Sequence, residues 1–240
     1  MAAEALTLTA AEMAVLMEPI LGPAAGDGTG QLADLGLTTA ALDQARAALL
    51  ARGLLRPAPD RSARRTFVVS DARMMLIAAA RPMALGALTI TRPGRPEHGV
   101  YFSWTPEIFL YNTVDGGGLY HLEPLASLEA AAEVIVRECG LLDFTPDVAA
   151  PAPASPDDVA RNATLRAIFV AVASARTAVE AVTSLAWLVS QGQLWVVAPQ
   201  PDGGDADLNA VSVPDLRASV QLLLAQAIEN TREALVAAAA

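Results

Sequence analysis

The sequence has no lysine, one cysteine and two histidines, and each scarcity excludes a class of function. Without lysine, the chain forms no lysine Schiff base and completes no Walker-type phosphate loop. Cys139 alone makes neither an internal disulfide nor a thiolate cluster, and His98 and His121 lack the spacing of a metal-ligand pair. We therefore expect a protein without catalytic residues, bound metal or cofactor.

Charge is also scarce, because charged residues make up 18% of the 240 residues and hydrophobic residues 53%. This composition excludes a disordered tail and a solvated coiled coil, and the length predicts one or two domains with a substantial core. All 16 basic residues are arginine, the net charge is −10 and the isoelectric point is about 4.6. Acidity of this order makes nucleic acid an improbable principal partner.

No targeting or membrane-spanning segment is expected. Glu4 places an acid where a signal peptide carries positive charge. The longest uncharged stretch, residues 181–201, is long enough to cross a bilayer, but Ser190, Gln191 and Gly192 interrupt its middle. Such residues are typical of a turn between two strands, so we expect a cytoplasmic protein without membrane contact.

Local signals predict alternating helices and strands. Thr9 and Glu12 have the spacing of a capping box before a helix over residues 10–21. Gly53 is a natural stop for a second helix over 40–52, and Ser155 or Asp157 is expected to cap a helix running to residue 173. Further helices are expected over 72–80, 127–139 and 215–236, and strands over 66–69, 87–91, 99–104, 107–114, 119–122, 178–188, 193–198 and 208–213.

The two halves of the chain share an order of elements: a helix, a meander of strands, a short strand that ends at a proline, and a long helix. Self-similarity favours a duplicated unit, although any α+β chain can be cut into comparable halves. We expect an α+β fold in which a pseudo-twofold duplicated unit forms an antiparallel sheet flanked by helices. The predicted segments are an N-terminal helical part (1–70), a first half (71–145), a Pro/Ala linker (146–156) and a second half (157–240), the halves forming one compact domain.

Aromatic residues cluster in one predicted hairpin, between residues 99 and 114. Along its first strand, alternation places Phe102 and Trp104 on one face and Tyr101 on the other, and Phe109 opposes Leu110 on the second strand. Both faces are therefore apolar, which indicates either a core strand covered on both sides or a recognition surface. The candidate partner-binding residues are Tyr101, Phe102, Trp104, Phe109 and Tyr111.

A second candidate surface lies near the N-terminus. A helix, a loop, a second helix, an arginine-bearing loop and a short strand follow the order of a winged helix, and the arginines of such a wing hold phosphates. The alternative is a small helical lobe whose arginines pair with the acidic remainder of the protein. The candidate DNA-binding residues are Arg46, Arg61, Arg64 and Arg65.

Several short sequence segments resemble those of the EspG family, the cytosolic chaperones of ESX (type VII) secretion. They are Leu8-Thr-Ala-Ala-Glu12, Ala51-Arg-Gly-Leu-Leu55, Ala80-Arg-Pro82 before a strand, and the repeated strand, proline and long helix. The resemblance covers most of the chain. It implies a pseudo-twofold α+β fold, no catalysis, and a role in covering the apolar tip of a helical PE–PPE-type substrate until export.

The sequence thus favours a non-enzymatic binding protein of the chaperone class, whose apolar surface accepts side chains of a partner helix. The alternative is a winged-helix transcriptional regulator with a C-terminal sensing or dimerisation domain. An enzyme would require a pocket that gathers His98 or His121 with carboxylates. The sequence leaves the partner and the choice between monomer and homodimer open.

Overall fold

The computed structural model describes residues 5–21, 37–57, 67–69, 84–106, 108–147, 155–175, 178–198 and 207–237. Within these ranges the chain forms eleven strands and five helices. The helices are α1 (Ala10–Leu21), α2 (Thr39–Ala51), α3 (Leu128–Glu138), α4 (Pro156–Arg161) and α5 (Val213–Ala237). The strands are β1 (Leu6–Thr9), β2 (Leu55–Pro57), β3 (Phe67–Val69), β4 (Ala84–Thr91), β5 (His98–Thr105), β6 (Ile108–Val114), β7 (Leu119–Leu125), β8 (Ala163–Ala175), β9 (Ala178–Ser190), β10 (Gln193–Ala198) and β11 (Asp207–Ala210).

Nine of the strands in the described ranges form one sheet, in the order β1-β7-β6-β5-β4-β8-β9-β10-β11. Strands β4 and β8 pair antiparallel. On one side of this pair follow β5, β6 and β7, and on the other side follow β9, β10 and β11, each set being consecutive in sequence. Helix α3 follows the first set of four strands and α5 follows the second. The predicted α+β class is confirmed, and the order of elements repeats as the duplicated unit requires.

Contacts divide the chain into two compact units, and the first comprises Met1–Met83 and Ser103–Pro124. In this unit α1 packs against α2, and β2 pairs with β3 in a separate two-stranded antiparallel sheet. The capping box is confirmed: the Thr9 N–H donates to Glu12 Oε2 at 2.8 Å, and the Glu12 N–H donates to Thr9 Oγ1 at 3.1 Å. The buried core of the unit contains Leu8, Met13, Val15, Leu16, Ala45, Leu49, Leu55, Leu110 and Leu122.

The second unit comprises Ala84–Phe102 and Leu125–Ala240. Helix α5 packs on β8, β9 and β4 and against α3. Its buried stripe recurs at helical spacing and consists of Leu216, Val220, Leu224, Ala227, Ile228 and Thr231. The two units interleave along the sequence, so the division at residues 70, 145 and 156 stays a prediction.

Residues 163–173 lie in the strand β8 (Ala163–Ala175), and the helix expected to run to residue 173 is wrong beyond Arg161. Helix α4 is capped by Ser155, as predicted, but it ends at Arg161. From Ala163 to Ala173, buried and more exposed side chains then alternate one by one. In a strand, an alternation of period two places all the buried side chains on one face. In a helix, the same buried side chains would be distributed around the whole circumference. Pairing with β4 on one side and β9 on the other fixes the segment as β8.

The helix expected over residues 72–80 lies outside the described residues. Among the helices that are described, none is both long and apolar enough to cross a membrane.

Candidate partner-binding surface

Four of the five predicted partner-binding rings lie in the interior. Their exposed fractions are 1% for Phe102 and 8% each for Trp104, Phe109 and Tyr111, whereas Tyr101 is 49% exposed. Ser103 and Thr105, which alternate with Phe102 and Trp104, are buried as well. Both faces of this stretch are therefore covered, as in the core-strand interpretation, and Tyr101 is the ring that the structure places at the surface.

Phe102 belongs to the packed side of the sheet in the second unit. Its ring meets Phe169 edge-to-face, with the centroids 5.9 Å apart and the planes at 83°. Gly86 leaves room for this pair, because a Cβ on Gly86 would lie 2.7 Å from Phe169 Cζ. Phe102 therefore serves the core in this conformation.

Tyr111 is held by its hydroxyl in the first unit. The hydroxyl donates a hydrogen bond to Glu123 Oε2 at 3.0 Å, on the neighbouring strand β7. A buried tyrosine usually finds such a partner for its polar end, so this bond fits a structural ring.

The opposite face of the second unit's sheet is partly exposed and includes the large hydrophobic side chains of Tyr101 and Ile168. Along β8 the side chains of Thr164, Arg166 and Ile168 are exposed, while the alternating residues are buried. Directly paired residues of antiparallel strands point to the same face, so the register extends this surface across five strands. One row of paired residues runs Thr89, Ile168, Ala186, Val197 and Leu208.

Tyr101 lies on the same face as Ile168. Its neighbour Phe102 contacts Phe169 on the packed side, and successive strand residues point to opposite faces. The ring lies over Gly99: a Cβ there would be 3.1 Å from the Tyr101 hydroxyl oxygen and 3.3 Å from Cε2. The glycine therefore lets the aromatic ring lie close to the strand.

Helix α4 covers one corner of this face. Val159 of α4 packs with Ala163 and Leu188, and partly buried side chains of β10 and β11 complete the cluster. The rest of the face, called the open face below, consists of half-buried and exposed residues. They are Ala87, Thr89, Thr91, Tyr101, Arg166, Ile168, Val170, Ser184 and Ala186.

The charge of the open face has the opposite sign to that of the chain. The chain carries a net charge of −10. Among the described residues that define the open face, by contrast, the ionisable groups are the guanidinium of Arg166 and the phenol of Tyr101. Arg166 Nη2 donates to the carbonyl oxygen of Ala160 at 2.6 Å, which ties it to the last turn of α4. The surface thus combines small and hydroxyl-bearing residues with the apolar side chains of Ile168 and Val170, and carries one cation.

Each histidine is paired with one carboxylate, a relationship that the sequence spacing did not reveal. His98 Nε2 lies 3.1 Å from Glu138 Oε2, and His121 Nε2 lies 3.3 Å from Asp115 Oδ2. His121 Nδ1 also lies 3.2 Å from Thr7 Oγ1. Among the described residues, no three metal-ligating side chains of the His, Cys, Asp or Glu type come together.

Among the described residues, the surroundings shift the pKa of Asp115, Glu129, Cys139 and Asp215. The Leu119 N–H and then the side chain of His121 lower the pKa of Asp115, as the Gly117 N–H also does. Burial raises the pKa of the Cys139 thiol to about 12, against a smaller opposing contribution from Trp187. Cys139 is 3% exposed and behaves as a small buried hydrophobe.

The arginine candidates for DNA binding are only partly described. Arg46 Nη1 lies 2.8 Å from Asp43 Oδ1 on the same helix, so this ion pair lies within the segment itself. Arg61, Arg64 and Arg65 lie outside the described residues. A DNA-binding role for these four residues stays a prediction.

Comparison with known proteins reveals similarity of structure and none of sequence. No protein-family profile and no curated protein matches the chain. Among solved structures, the chain is similar to the Mycobacterium tuberculosis type VII secretion system chaperone EspG5, in complex with a PE25–PPE41 dimer. The TM-score is 0.56 and the identity 10%, and the match covers 92% of this chain and 96% of that one. At this identity the comparison shows a shared fold.

Proposed function

We propose that the chain is a non-enzymatic binding protein of the secretion-chaperone type, which acts in the cytoplasm and covers the apolar helical tip of a PE–PPE-like client. The observation that carries the proposal is the fold shared with EspG5 over 92% of the chain. EspG5 is seen with a PE25–PPE41 dimer, so a related two-chain secretion substrate is the class of client to test.

The open face supports this proposal on physical grounds. Tyr101 and Ile168 are both about half exposed, at 49% and 48%, and lie on one face of one sheet. Apolar surface gathered in one place is a common mark of a protein interface, and a few aromatic and large aliphatic side chains supply most of the affinity there. Shielding requires no bond to be made or broken, so no catalytic group is needed.

Site-specific photocrosslinking in the native host tests the proposal. A photoreactive p-benzoylphenylalanine replaces Ile168 on the open face or, as a control, Leu222, which is 70% exposed on α5. We expect the Ile168 position to capture a helical secretion substrate of the PE–PPE type and the Leu222 position to capture much less. Capture of the same proteins at both positions, or of none that are secreted, contradicts the proposal.

The winged-helix regulator stays a second candidate because α1, α2 and the strand β3 occur in the predicted order. Fluorescence anisotropy with a random-sequence DNA duplex at low salt tests it, since phosphate contacts are strongest there. We expect Arg64→Ala/Arg65→Ala to abolish a salt-dependent signal if the wing binds DNA. Absence of any signal from the wild-type chain removes this candidate.

A further inference from the structure

We infer that α4 is a displaceable cover: in the chain without its client, this helix occupies an apolar part of the sheet face that a helix of the client takes over. The inference rests on the proposed function and adds a regulatory step to it. Helix α4 contacts β9, and we call the side chains beneath it the covered strip. The covered strip consists of Leu188, Trp195, Val197 and Leu208.

Few groups attach α4 to the sheet. Among its described side chains Val159 is the buried one, and it packs with Ala163 and Leu188. The bond from Arg166 Nη2 to the carbonyl oxygen of Ala160, 2.6 Å long, ties the last turn of α4 to β8 and is exposed to solvent. A helix of six residues is too short to be stable alone. Local opening of α4 therefore requires less free energy than unfolding of the sheet.

Two buried polar groups beside α4 have no hydrogen-bond partner in the described part of the chain. They are the indole N–H of Trp195 and the hydroxyl of Ser190. Trp195 packs against the cluster that contains Val159, and Ser190 is the register partner of Ala163 in that cluster. Buried polar groups are usually paired, and a missing hydrogen bond costs free energy. This cost falls on the closed state, because opening gives the two groups access to water or to polar groups of a client.

The covered strip and the open face form one surface, since paired residues of antiparallel strands point to the same face. Two neighbouring rows of register partners cross both: Arg166, Leu188 and Trp195, and Ile168, Ala186, Val197 and Leu208. Displacement of α4 thus adds a tryptophan and three aliphatic side chains to the exposed Tyr101 and Ile168. Tryptophan is among the residues that contribute most to protein interfaces. Because α4 itself presents an aliphatic side chain from a helix to this strip, an apolar helix of the client is the occupant that fits it.

Thiol labelling measures the opening of α4 without a client. Leu188→Cys places a thiol beneath α4, and the native Cys139, buried at the end of α3, reports global unfolding in the same molecule. We expect iodoacetamide to modify the introduced thiol at least about tenfold faster than Cys139. Low urea concentrations should accelerate the reaction of Cys139 and hardly that of the introduced thiol, because local opening exposes little surface. Val159→Ala should accelerate the introduced thiol about tenfold.

Crosslinking in the native host measures the competition with the client. The photoreactive residue stays at Ile168, and Val159→Ala is added to loosen α4. A client that binds the open state gains apparent affinity by the factor by which the open fraction rises. We therefore expect Val159→Ala to increase capture of the client at least about threefold. Val236→Ala, the same substitution at a position on α5 that is 72% exposed, should leave capture unchanged.

The outcomes separate this inference from the proposed function. Equal rates and equal urea dependence of the two thiols show that α4 opens only with the whole chain, and they overturn the cover. Client capture that Val159→Ala leaves unchanged or lowers overturns the competition and leaves the chaperone role intact. If Ile168 captures no secretion substrate, the proposed function is refuted together with the client step, and the thiol rates still decide whether α4 opens. If Leu188→Cys does not fold, as judged by circular dichroism, amide hydrogen exchange of Val159 and Asn162 in α4, compared with β8, replaces the labelling.

Discussion

Arg52, at the end of α2, reaches Glu12 in the first turn of α1, with Arg52 Nη1 and Glu12 Oε1 3.0 Å apart. Arg52 Nη2 also donates to the carbonyl oxygen of Thr7 at 3.1 Å. The side chain of Glu12 is 9% exposed, and its second oxygen accepts from the Thr9 N–H. One guanidinium thus joins two helices and the strand β1, inside the first unit.

Replacing Arg52 by methionine keeps the aliphatic stem and removes the charge. We expect a loss of about 1–3 kcal/mol in the free energy of unfolding, because the largely buried Glu12 carboxylate loses its cation. Urea unfolding measures this loss in the free energy of unfolding. Arg46→Met is the matched control, since its partner Asp43 is 66% exposed at the side chain and such a pair contributes about 0–1 kcal/mol. Equal losses in the two variants would refute the prediction.

Gly86 is required by the packing of Phe169. A Cβ at this position would lie 2.7 Å from Phe169 Cζ and 2.9 Å from the carbonyl oxygen of Val170. We expect Gly86→Ala to lower the free energy of unfolding by about 1–3 kcal/mol through overpacking. Gly116→Ala, where a Cβ meets nothing within 4 Å, is the control and is expected to change stability by less than about 0.5 kcal/mol. A Gly86→Ala protein as stable as the control would contradict the prediction, because it would show that the Phe169 ring moves aside without loss of stability.

Gly99 is expected to position Tyr101 on the open face. In Gly99→Ala the new methyl group displaces the ring, whose hydroxyl oxygen would be 3.1 Å away. We predict that the ring-current shift of the residue 99 Hα resonance, measured by NMR, shrinks in Gly99→Ala, disappears in Tyr101→Leu and persists in Tyr101→Phe. This readout needs no client, and an unshifted Gly99 resonance in the wild-type chain would contradict the ring position.

The Asp115 carboxylate is expected to titrate below its ordinary value of 3.8, chiefly because the Leu119 N–H donates to it. A carboxylate whose pKa is lowered by folding stabilises the fold above its ordinary pKa. That contribution is lost as the pH falls through the lowered value. NMR titration of the carboxyl carbon should give a midpoint below 3.8, and His121→Ala should remove only part of the shift. A midpoint at or above 3.8 would exclude this effect.

Cys139 is expected to resist alkylation in the folded chain, because burial raises the pKa of its thiol to about 12 and leaves 3% of the residue exposed. Iodoacetamide at pH 8 should modify it only at the rate at which the protein unfolds, since the thiolate is the reactive form. Asp143→Cys, at an exposed position four residues further on, provides the control and should react at once. Equal rates at the two sites would show that Cys139 is accessible.

Local physics allowed much of the fold to be predicted from the sequence. The capping box of Thr9 and Glu12 forms both of its hydrogen bonds. Gly53, predicted to end α2, adopts φ +70°, a conformation that costs glycine little. The two-residue turn at Gln191–Gly192 joins β9 to β10 where polar residues interrupted an apolar stretch. Each of these features depends on residues within a few positions of one another.

Features that join distant parts of the chain were decided by tertiary structure. Residues 163–175 became a strand because β4 and β9 supply hydrogen-bonding partners on both sides, and no local signal carries that information. The aromatic cluster was visible in the sequence, but only packing showed that Phe102 meets Phe169, 67 positions away, while Tyr101 faces outward. Caps and turn residues determined where several helices and turns begin and end. The pairing of strands, which joins distant residues, determined that residues 163–175 form a strand and which face of the sheet stays exposed.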